Sequence, residues 1–122
     1  MPRTLLVADD SEIIRRMLCK MFEVEEGYHL CAEATNGLEA IELALKHRPE
    51  LIILDLAMPV MNGLDAAREL KKLLPSVPII LFTQYADFGN ALADDRKNVD
   101  RVVSKTKVEE LIAHVRELLP VY

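Results

Sequence analysis

A run of four aliphatic residues that ends directly in a carboxylate constrains this sequence more than any other feature. The run consists of Leu51, Ile52, Ile53 and Leu54, and Asp55 follows it. Unbroken aliphatic runs of this kind are typical of strands that are buried on both faces, where an ionised carboxylate is too costly to place. We therefore expect Asp55 at the end of a strand, where its side chain can face solvent, a ligand or an ion.

Other predicted strands, most of them apolar, stop at polar residues in the same way. They are residues 4–8 before Asp9 and Asp10, residues 79–82 before Thr83, and residues 101–104 before Lys105. A further segment, residues 28–34, alternates only partly between apolar and polar residues and suits an edge strand. The chain therefore contains five predicted strands, and all but the edge strand deliver polar side chains to their carboxyl ends.

Helical patterns separate these strands. A weak pattern formed by Phe88, Ala91 and Leu92 predicts a short helix before the last strand. Apolar residues recur more clearly at helical spacing over residues 13–22, 38–45, 64–74 and 108–119.

Polar and glycine residues mark the ends of these helices. Ser11 is placed to cap the first helix. The Asn-Gly pair at 36–37 predicts a turn, and the pair at 62–63 predicts part of a loop. We interpret Arg15 and Arg16 as a solvated helix face.

Five strands that alternate with five helices predict an α/β fold. Parallel strands need crossover connections, so we expect a doubly wound parallel sheet with helices on both faces. Ligands of such sheets bind beyond the carboxyl ends of the strands, where the winding direction reverses. The residues expected to meet there are Asp9, Asp10, Asp55, Thr83 and Lys105.

The composition supports one domain and argues against several functions. A chain of 122 residues with 51% hydrophobic content is enough for a single domain that spans residues 1–122. The net charge of -5 argues against direct nucleic-acid binding by this domain. No apolar run approaches the ~20 residues that span a bilayer, and no signal-peptide pattern is present. We therefore expect a cytoplasmic protein that has no membrane contact.

The predicted site has the chemistry of phosphoryl transfer. Three carboxylates in one place repel one another, and a divalent cation removes the repulsion. Oxygen ligands favour Mg²⁺, which completes its shell with water and phosphate oxygens. Lys105 offers a positive charge and Thr83 a hydroxyl donor to phosphoryl oxygens. Asp55 is then the candidate nucleophile, because carboxylates can form aspartyl phosphates.

The chain resembles a bacterial two-component response-regulator receiver domain of the chemotaxis type over essentially its whole length. The resemblance is carried by the Asp9-Asp10 pair, by the segment DLAMPVMNG at 55–63, and by Thr83 and Lys105, each after a hydrophobic strand. It implies the flavodoxin-like strand order 2-1-3-4-5, which is known for chemotaxis receivers.

The same resemblance implies a phosphorylation-dependent signalling switch. Asp55 would accept a phosphoryl group from a sensor histidine kinase or a histidine phosphotransfer protein. Asp10, Asp55 and the backbone carbonyl of Ala57 would bind Mg²⁺, with Asp9 acting mainly through water, and the threonine and lysine would hold the phosphoryl group. Enzymatic activity would be limited to self-phosphorylation and autodephosphorylation. The signal would pass to a downstream effector protein or a covalently linked output domain.

Several positions depart from the family pattern. Val102 stands where the family commonly has an aromatic residue that swings toward the threonine. Thr106 follows the lysine in place of a proline with a cis peptide; since a cis bond before a non-proline residue costs ~3 kcal/mol, we expect a trans bond. Gln84 replaces a small residue after the threonine. Tyr85 is expected to shield the acyl phosphate and lengthen its lifetime.

These departures leave a second function open, a receiver-like protein-interaction module that acts without phosphorylation. Two other classes fit less well. A metal-dependent phosphatase with an aspartyl nucleophile would want a general acid two residues after Asp55, where Ala57 stands. A flavin-binding protein of this fold would want a Ser-, Thr- or Gly-rich loop after the first strand, but residues 9–12 are Asp-Asp-Ser-Glu.

Overall fold

The five predicted strands form one parallel sheet in the computed structural model, which describes residues 2–84 and 96–121. The strands are β1 (Arg3–Ala8), β2 (Tyr28–Ala34), β3 (Leu51–Leu54), β4 (Ile79–Thr83) and β5 (Arg101–Ser104). All neighbouring strands are parallel, in the order β2-β1-β3-β4-β5. The predicted doubly wound fold and its strand order are confirmed.

Helices cover both faces of the sheet. Within the described ranges the α-helices are α1 (Glu12–Val24), α2 (Gly37–His47), α3 (Gly63–Leu73) and α4 (Val108–Leu118), and a 3-10 turn spans Arg96–Asn98. The short helix predicted at Phe88, Ala91 and Leu92 lies outside the described residues. Among the described helices, none combines the length and the apolar character that crossing a membrane requires.

Side-chain caps begin three of these helices. Ser11 caps α1, as predicted. Asn36 and Asn62 cap α2 and α3: each amide oxygen accepts from the backbone N–H three residues later, at 2.8 and 2.9 Å. The Asn-Gly pairs at 36–37 and 62–63 therefore begin helices. The chain bends at residues 35–36 between β2 and α2, where the first pair predicts a turn, and the asparagine side chain also caps the helix that starts at the glycine.

The sheet carries an apolar layer on each face, and β3 contributes to both layers. Leu51 and Ile53 pack towards α1 and α4, whereas Ile52 and Leu54 pack towards α2 and α3. All four side chains are buried, which confirms the predicted burial on both faces. Burial of each such side chain stabilises the fold by about 1.5–3 kcal/mol. The packing therefore holds the strand end, and Asp55 after it, in one place.

The edge strand β2 contains a bulge. Leu5 of β1 pairs with Leu30, whereas Leu6 pairs with Ala32, so Cys31 is an extra residue in β2. Apolar residues before the bulge pack on the α1 side of the sheet, and those after it pack on the opposite side. This change of face explains why the segment alternates only partly in sequence.

The predicted apolar stripes of the helices are only partly correct. Ile13, the first apolar residue of the α1 pattern, is 79% exposed, and Leu38 and Leu45 of α2 are also exposed. Ala40 and Ala44 form the buried face of α2. The alanines allow α2 to approach the sheet closely, and the leucines on the other side of the helix then point outward.

Candidate functional site

The polar residues that follow the strands meet at the carboxyl edge of the sheet. The Lys105 ammonium joins two of them: Nζ lies 2.7 Å from Asp9 Oδ2 and 3.2 Å from Asp55 Oδ2. Asp10 adds a third carboxylate, and ligand oxygens of the three acids lie within 4.8 Å of one another. Thr83 is fully buried at the end of β4, and its carbonyl accepts from the backbone N–H of Lys105 at 3.1 Å.

Asp9 is held by hydrogen bonds from several directions and is only 2% exposed. Its N–H donates to the Ala34 carbonyl at 3.0 Å, and its Oδ1 accepts from the N–H of Ser11 at 2.9 Å. Its Oδ2 faces Lys105. The family resemblance implies that Asp9 acts mainly through water; the structure adds a direct contact with the lysine, and its role toward a metal stays a prediction.

Asp55 is similarly buried, and its N–H donates to the Ala8 carbonyl at 2.9 Å. Burial raises the pKa of Asp55 and the charge of Asp9 raises it further, while Lys105 acts to lower it. Burial acts to lower the pKa of Lys105, but the hydrogen bond to Asp9 and the charges of both acids outweigh burial and raise it. The ammonium therefore stays protonated, yet it compensates only part of the charge that three ionised carboxylates would carry.

This donor set fits a hard divalent cation. Clustered carboxylate oxygens suit Mg²⁺, which binds oxygen ligands and retains several waters. Asp10 is exposed, so the site is open to solvent on that side. Ala57 lies exposed in the loop after β3. The binding of a metal by its backbone carbonyl stays a prediction.

The loop between β3 and α3 is fixed by contacts that the sequence analysis missed. Val60 has a φ of 69°, and the N–H of Met61 donates to the Pro59 carbonyl at 2.7 Å, which forms a strained three-residue turn. A Cβ at Gly63 would lie 2.1 Å from the carbonyl oxygen of Asp55. Only glycine permits this approach. The glycine in the second Asn-Gly pair was the signal in the sequence that could have indicated the contact.

The interpretation of Arg15 as a solvated residue is wrong. Its side chain is 15% exposed, Nε lies 3.4 Å from Glu33 Oε1, and Nη1 donates to the Asp9 carbonyl at 2.7 Å. Its neighbour Arg16 is exposed and pairs with Glu12. Helical side chains point towards the N-terminus of their helix. An arginine one turn after the cap can therefore reach back to the end of β1, and this position was the available signal.

The loop after β5 holds Lys105 without a cis peptide. The predicted trans bond before Thr106 is confirmed, since the described part of the chain contains no cis bond. The hydroxyls of Ser104 and Thr106 lie 2.8 Å apart, and the N–H of Thr106 donates to Ser104 Oγ at 3.2 Å. These serine and threonine hydroxyls brace the turn that follows the strand.

The structure describes two of the three remaining departures. Val102 is half-buried and packs against the apolar layer beside α2 and α3. Gln84 is exposed. Tyr85 lies outside the described residues, so its shielding role stays a prediction.

Most of the chain matches a known protein family. Residues 5–116 match the family model described as the response regulator receiver domain. The transcriptional regulatory protein PdtaR of Mycobacterium tuberculosis is 45% identical over 85 residues, which are 68% of this chain and 41% of that protein. The chain thus spans less than half the length of this curated relative.

Solved structures share the fold. The response regulator domain of Thermotoga maritima CheB has a TM-score of 0.89 at 23% identity, and the match covers 100% of this chain and 99% of that domain. At this identity the match shows likeness of fold alone. The response regulator TrrA of Thermotoga maritima, solved in complex with Mg(2+)-BeF, has a TM-score of 0.86 at 35% identity, with 96% of this chain and 99% of TrrA covered.

Proposed function

This chain belongs to the response regulator receiver domain family, and from that membership we propose that it is a phosphorylation-dependent switch of two-component signalling. Asp55 accepts a phosphoryl group from a sensor histidine kinase or a histidine phosphotransfer protein. A downstream effector protein or a covalently linked output domain then responds to the modified domain.

The position of Lys105 is the observation that carries this proposal. Its ammonium contacts Asp9 at 2.7 Å and Asp55 at 3.2 Å, so it lies beside any group attached to the Asp55 carboxylate. Phosphorylation replaces one negative charge by about two. A cation that is already in place stabilises this added charge without reorganisation.

The chemistry follows from the buried carboxylate. A carboxylate oxygen of Asp55 attacks phosphorus, an O–P bond forms, and the P–N bond of the donor phosphohistidine breaks as the imidazole leaves. Lys105 and the hydroxyl of Thr83 hold the oxygens of the transferred group. When bound, Mg²⁺ supplies further charge compensation for these oxygens. The groups that would hold Mg²⁺ are the carboxylates of Asp10 and Asp55 and the backbone carbonyl of Ala57, with Asp9 acting mainly through water.

Labelling with a small phosphodonor tests the proposal. Incubation with acetyl phosphate and Mg²⁺, followed by intact-mass measurement, should show one added phosphoryl group, and chelation of Mg²⁺ should prevent it. Asp55→Asn should abolish labelling, whereas Asp65→Asn, a change at a partly exposed acid of α3, should not. Equal labelling of Asp55→Asn and the parent protein would contradict the assignment of the acceptor.

A protein-interaction module that acts without phosphorylation is the second candidate. The packing of Val102 favours it, because a half-buried valine has no aromatic ring that could swing toward Thr83 and report phosphorylation. Absence of labelling of the parent protein by both acetyl phosphate and a phosphorylated histidine kinase would support this candidate over the switch.

A further inference from the structure

We propose that Arg15 is a positioning residue of the acidic site and that Glu33 of the edge strand locks it there. Arg15 holds the main chain at Asp9, and this orients the Asp9 carboxylate toward Ser11 and Lys105. The consequence for Mg²⁺ rests on the proposed function above; the effect on Asp9 itself does not.

The Arg15 guanidinium makes a hydrogen bond and an ion pair at once. Nη1 donates to the Asp9 carbonyl at 2.7 Å, while Nε lies 3.4 Å from Glu33 Oε1. The planar fork of arginine suits such a double contact, whereas a lysine ammonium is a point charge on a flexible stem. The side chain is mostly buried between α1 and the sheet, so few other rotamers are open to it.

The backbone carbonyl of Asp9 needs a hydrogen-bond donor. β1 ends at Ala8, and the N–H of Asp9 makes a last contact with β2, at the Ala34 carbonyl. The chain then turns into α1, so the Asp9 carbonyl leaves the strand ladder, and a buried carbonyl without a donor is costly. Arg15 supplies that donor. The two carboxylate oxygens of the same residue are the ones that face Ser11 and Lys105.

The bulge in β2 brings Glu33 to Arg15. If residues alternated regularly from Leu30 onward, with no bulge, position 33 would lie on the α2 side of the sheet. With the bulge, Glu33 faces α1, where Cys19 Sγ donates to its Oε2 at 3.2 Å. Burial, with Glu33 adding to it, raises the pKa of Cys19 to about 11, so the thiol keeps its proton and remains a donor. Both oxygens of Glu33 are therefore engaged, one by Arg15 and one by Cys19.

The positive charge of Arg15 and its proposed positioning role predict opposite effects of its removal on Mg²⁺ affinity. If Arg15 acted only through its positive charge, its removal would strengthen binding of a cation nearby. If it positions Asp9, its removal weakens binding even though a positive charge is lost. Arg15→Lys separates the two effects, because it keeps the charge and loses the fork. Arg16→Ala is the matched control, since Arg16 is adjacent, exposed and paired only with Glu12 in the described part of the chain.

Two measurements on the full chain test the proposal. Isothermal titration calorimetry gives the Mg²⁺ dissociation constant, which should rise about tenfold in both Arg15→Ala and Arg15→Lys, as for residues that orient metal ligands. Arg16→Ala should leave it unchanged. The ¹H–¹⁵N NMR signal of the Ser11 amide, which donates to Asp9, should shift in both Arg15 variants and stay in place in Arg16→Ala. If Arg15→Ala does not fold, Arg15→Lys carries the test.

A Ser11 amide signal that is unchanged in folded Arg15→Lys, or a Mg²⁺ affinity in that variant equal to that of the parent, would overturn the proposal. Failure of the proposed function gives a different pattern. A parent protein that neither binds Mg²⁺ nor takes label from acetyl phosphate removes the switch function, while a shifted Ser11 amide in both Arg15 variants still supports the positioning of Asp9.

Discussion

Replacement of Lys105 by methionine should strongly destabilise the metal-free protein. The lysine side chain is 16% exposed, and those of Asp9 and Asp55 are 3% and 6% exposed. Loss of one partner from a buried ion pair leaves uncompensated charge and costs about 3–5 kcal/mol. Asp9 retains its hydrogen bond from Ser11, and water can enter beside the exposed Asp10. We therefore expect the lower end of that range, about 3 kcal/mol.

Mg²⁺ should restore much of the stability lost in Lys105→Met. Without the ammonium the three carboxylates attract a cation more strongly, so the variant should bind Mg²⁺ more tightly than the parent. A ligand that binds only the folded state stabilises it by about 2.7 kcal/mol at one hundred times its dissociation constant. At equal Mg²⁺ concentration, the variant should therefore gain more stability than the parent.

Urea unfolding followed by circular dichroism, with and without Mg²⁺, measures both effects. Lys107→Met is the matched control, because Lys107 is exposed and makes no side-chain cap; it should change the free energy of unfolding by less than about 0.5 kcal/mol. Adding Asp9→Asn to Lys105→Met should recover part of the loss, because one uncompensated charge disappears. Equal stability of Lys105→Met and the control without Mg²⁺ would refute the view that the lysine compensates the buried acids.

Four other substitutions test the acceptor and its loops. In Gly63→Ala, helix propensity alone would raise the free energy of unfolding by up to about 1 kcal/mol. The new Cβ would lie 2.1 Å from the Asp55 carbonyl oxygen, and this clash should cost about 1–3 kcal/mol and slow labelling. A higher free energy of unfolding in urea would contradict this. Val60→Gly should raise the free energy of unfolding by about 1 kcal/mol, because Val60 is exposed at a φ of 69° and the relief of strain exceeds the added chain entropy; a loss of stability would argue against strain. Without Mg²⁺, Asp55→Asn should be more stable than the parent at a pH above the raised pKa that Asp55 has in the folded state, because the ionised carboxylate destabilises the fold. This difference in stability should vanish as the pH falls below 3.8, the ordinary pKa of an aspartate. Equal urea midpoints of the two proteins at pH 7 would show that the ionised carboxylate has no such cost. Tyr85→Ala should shorten the half-life of the phosphorylated protein, measured by its decay after removal of the phosphodonor, and an unchanged half-life would exclude the shielding role.

The strands, most helix positions and the residues that reach the carboxyl edge can be predicted from the amino-acid sequence alone. Four aliphatic residues before Asp55 are stable only when both faces of the strand are covered, and helices between the strands require a parallel sheet. Because all strands of such a sheet end at one edge, Asp9, Thr83 and Lys105 arrive there with Asp55. Periodicity and connection rules are enough for this level of prediction, since both can be read from neighbouring residues.

Which side chains contact one another depends on how the segments pack in three dimensions. Arg15 and Arg16 are adjacent and chemically identical, yet one holds the Asp9 carbonyl and the other lies in solvent, because packing on the sheet sets the rotation of α1. The bulge at Cys31, which interrupts regular alternation, places Glu33 on the α1 side. The need for glycine at 63 arises from a carbonyl on another element. Each of these outcomes depends on distances between segments that packing brings together. Local signals, such as an arginine one turn after a cap or a glycine after an asparagine, indicate that a contact can form but do not identify its partner.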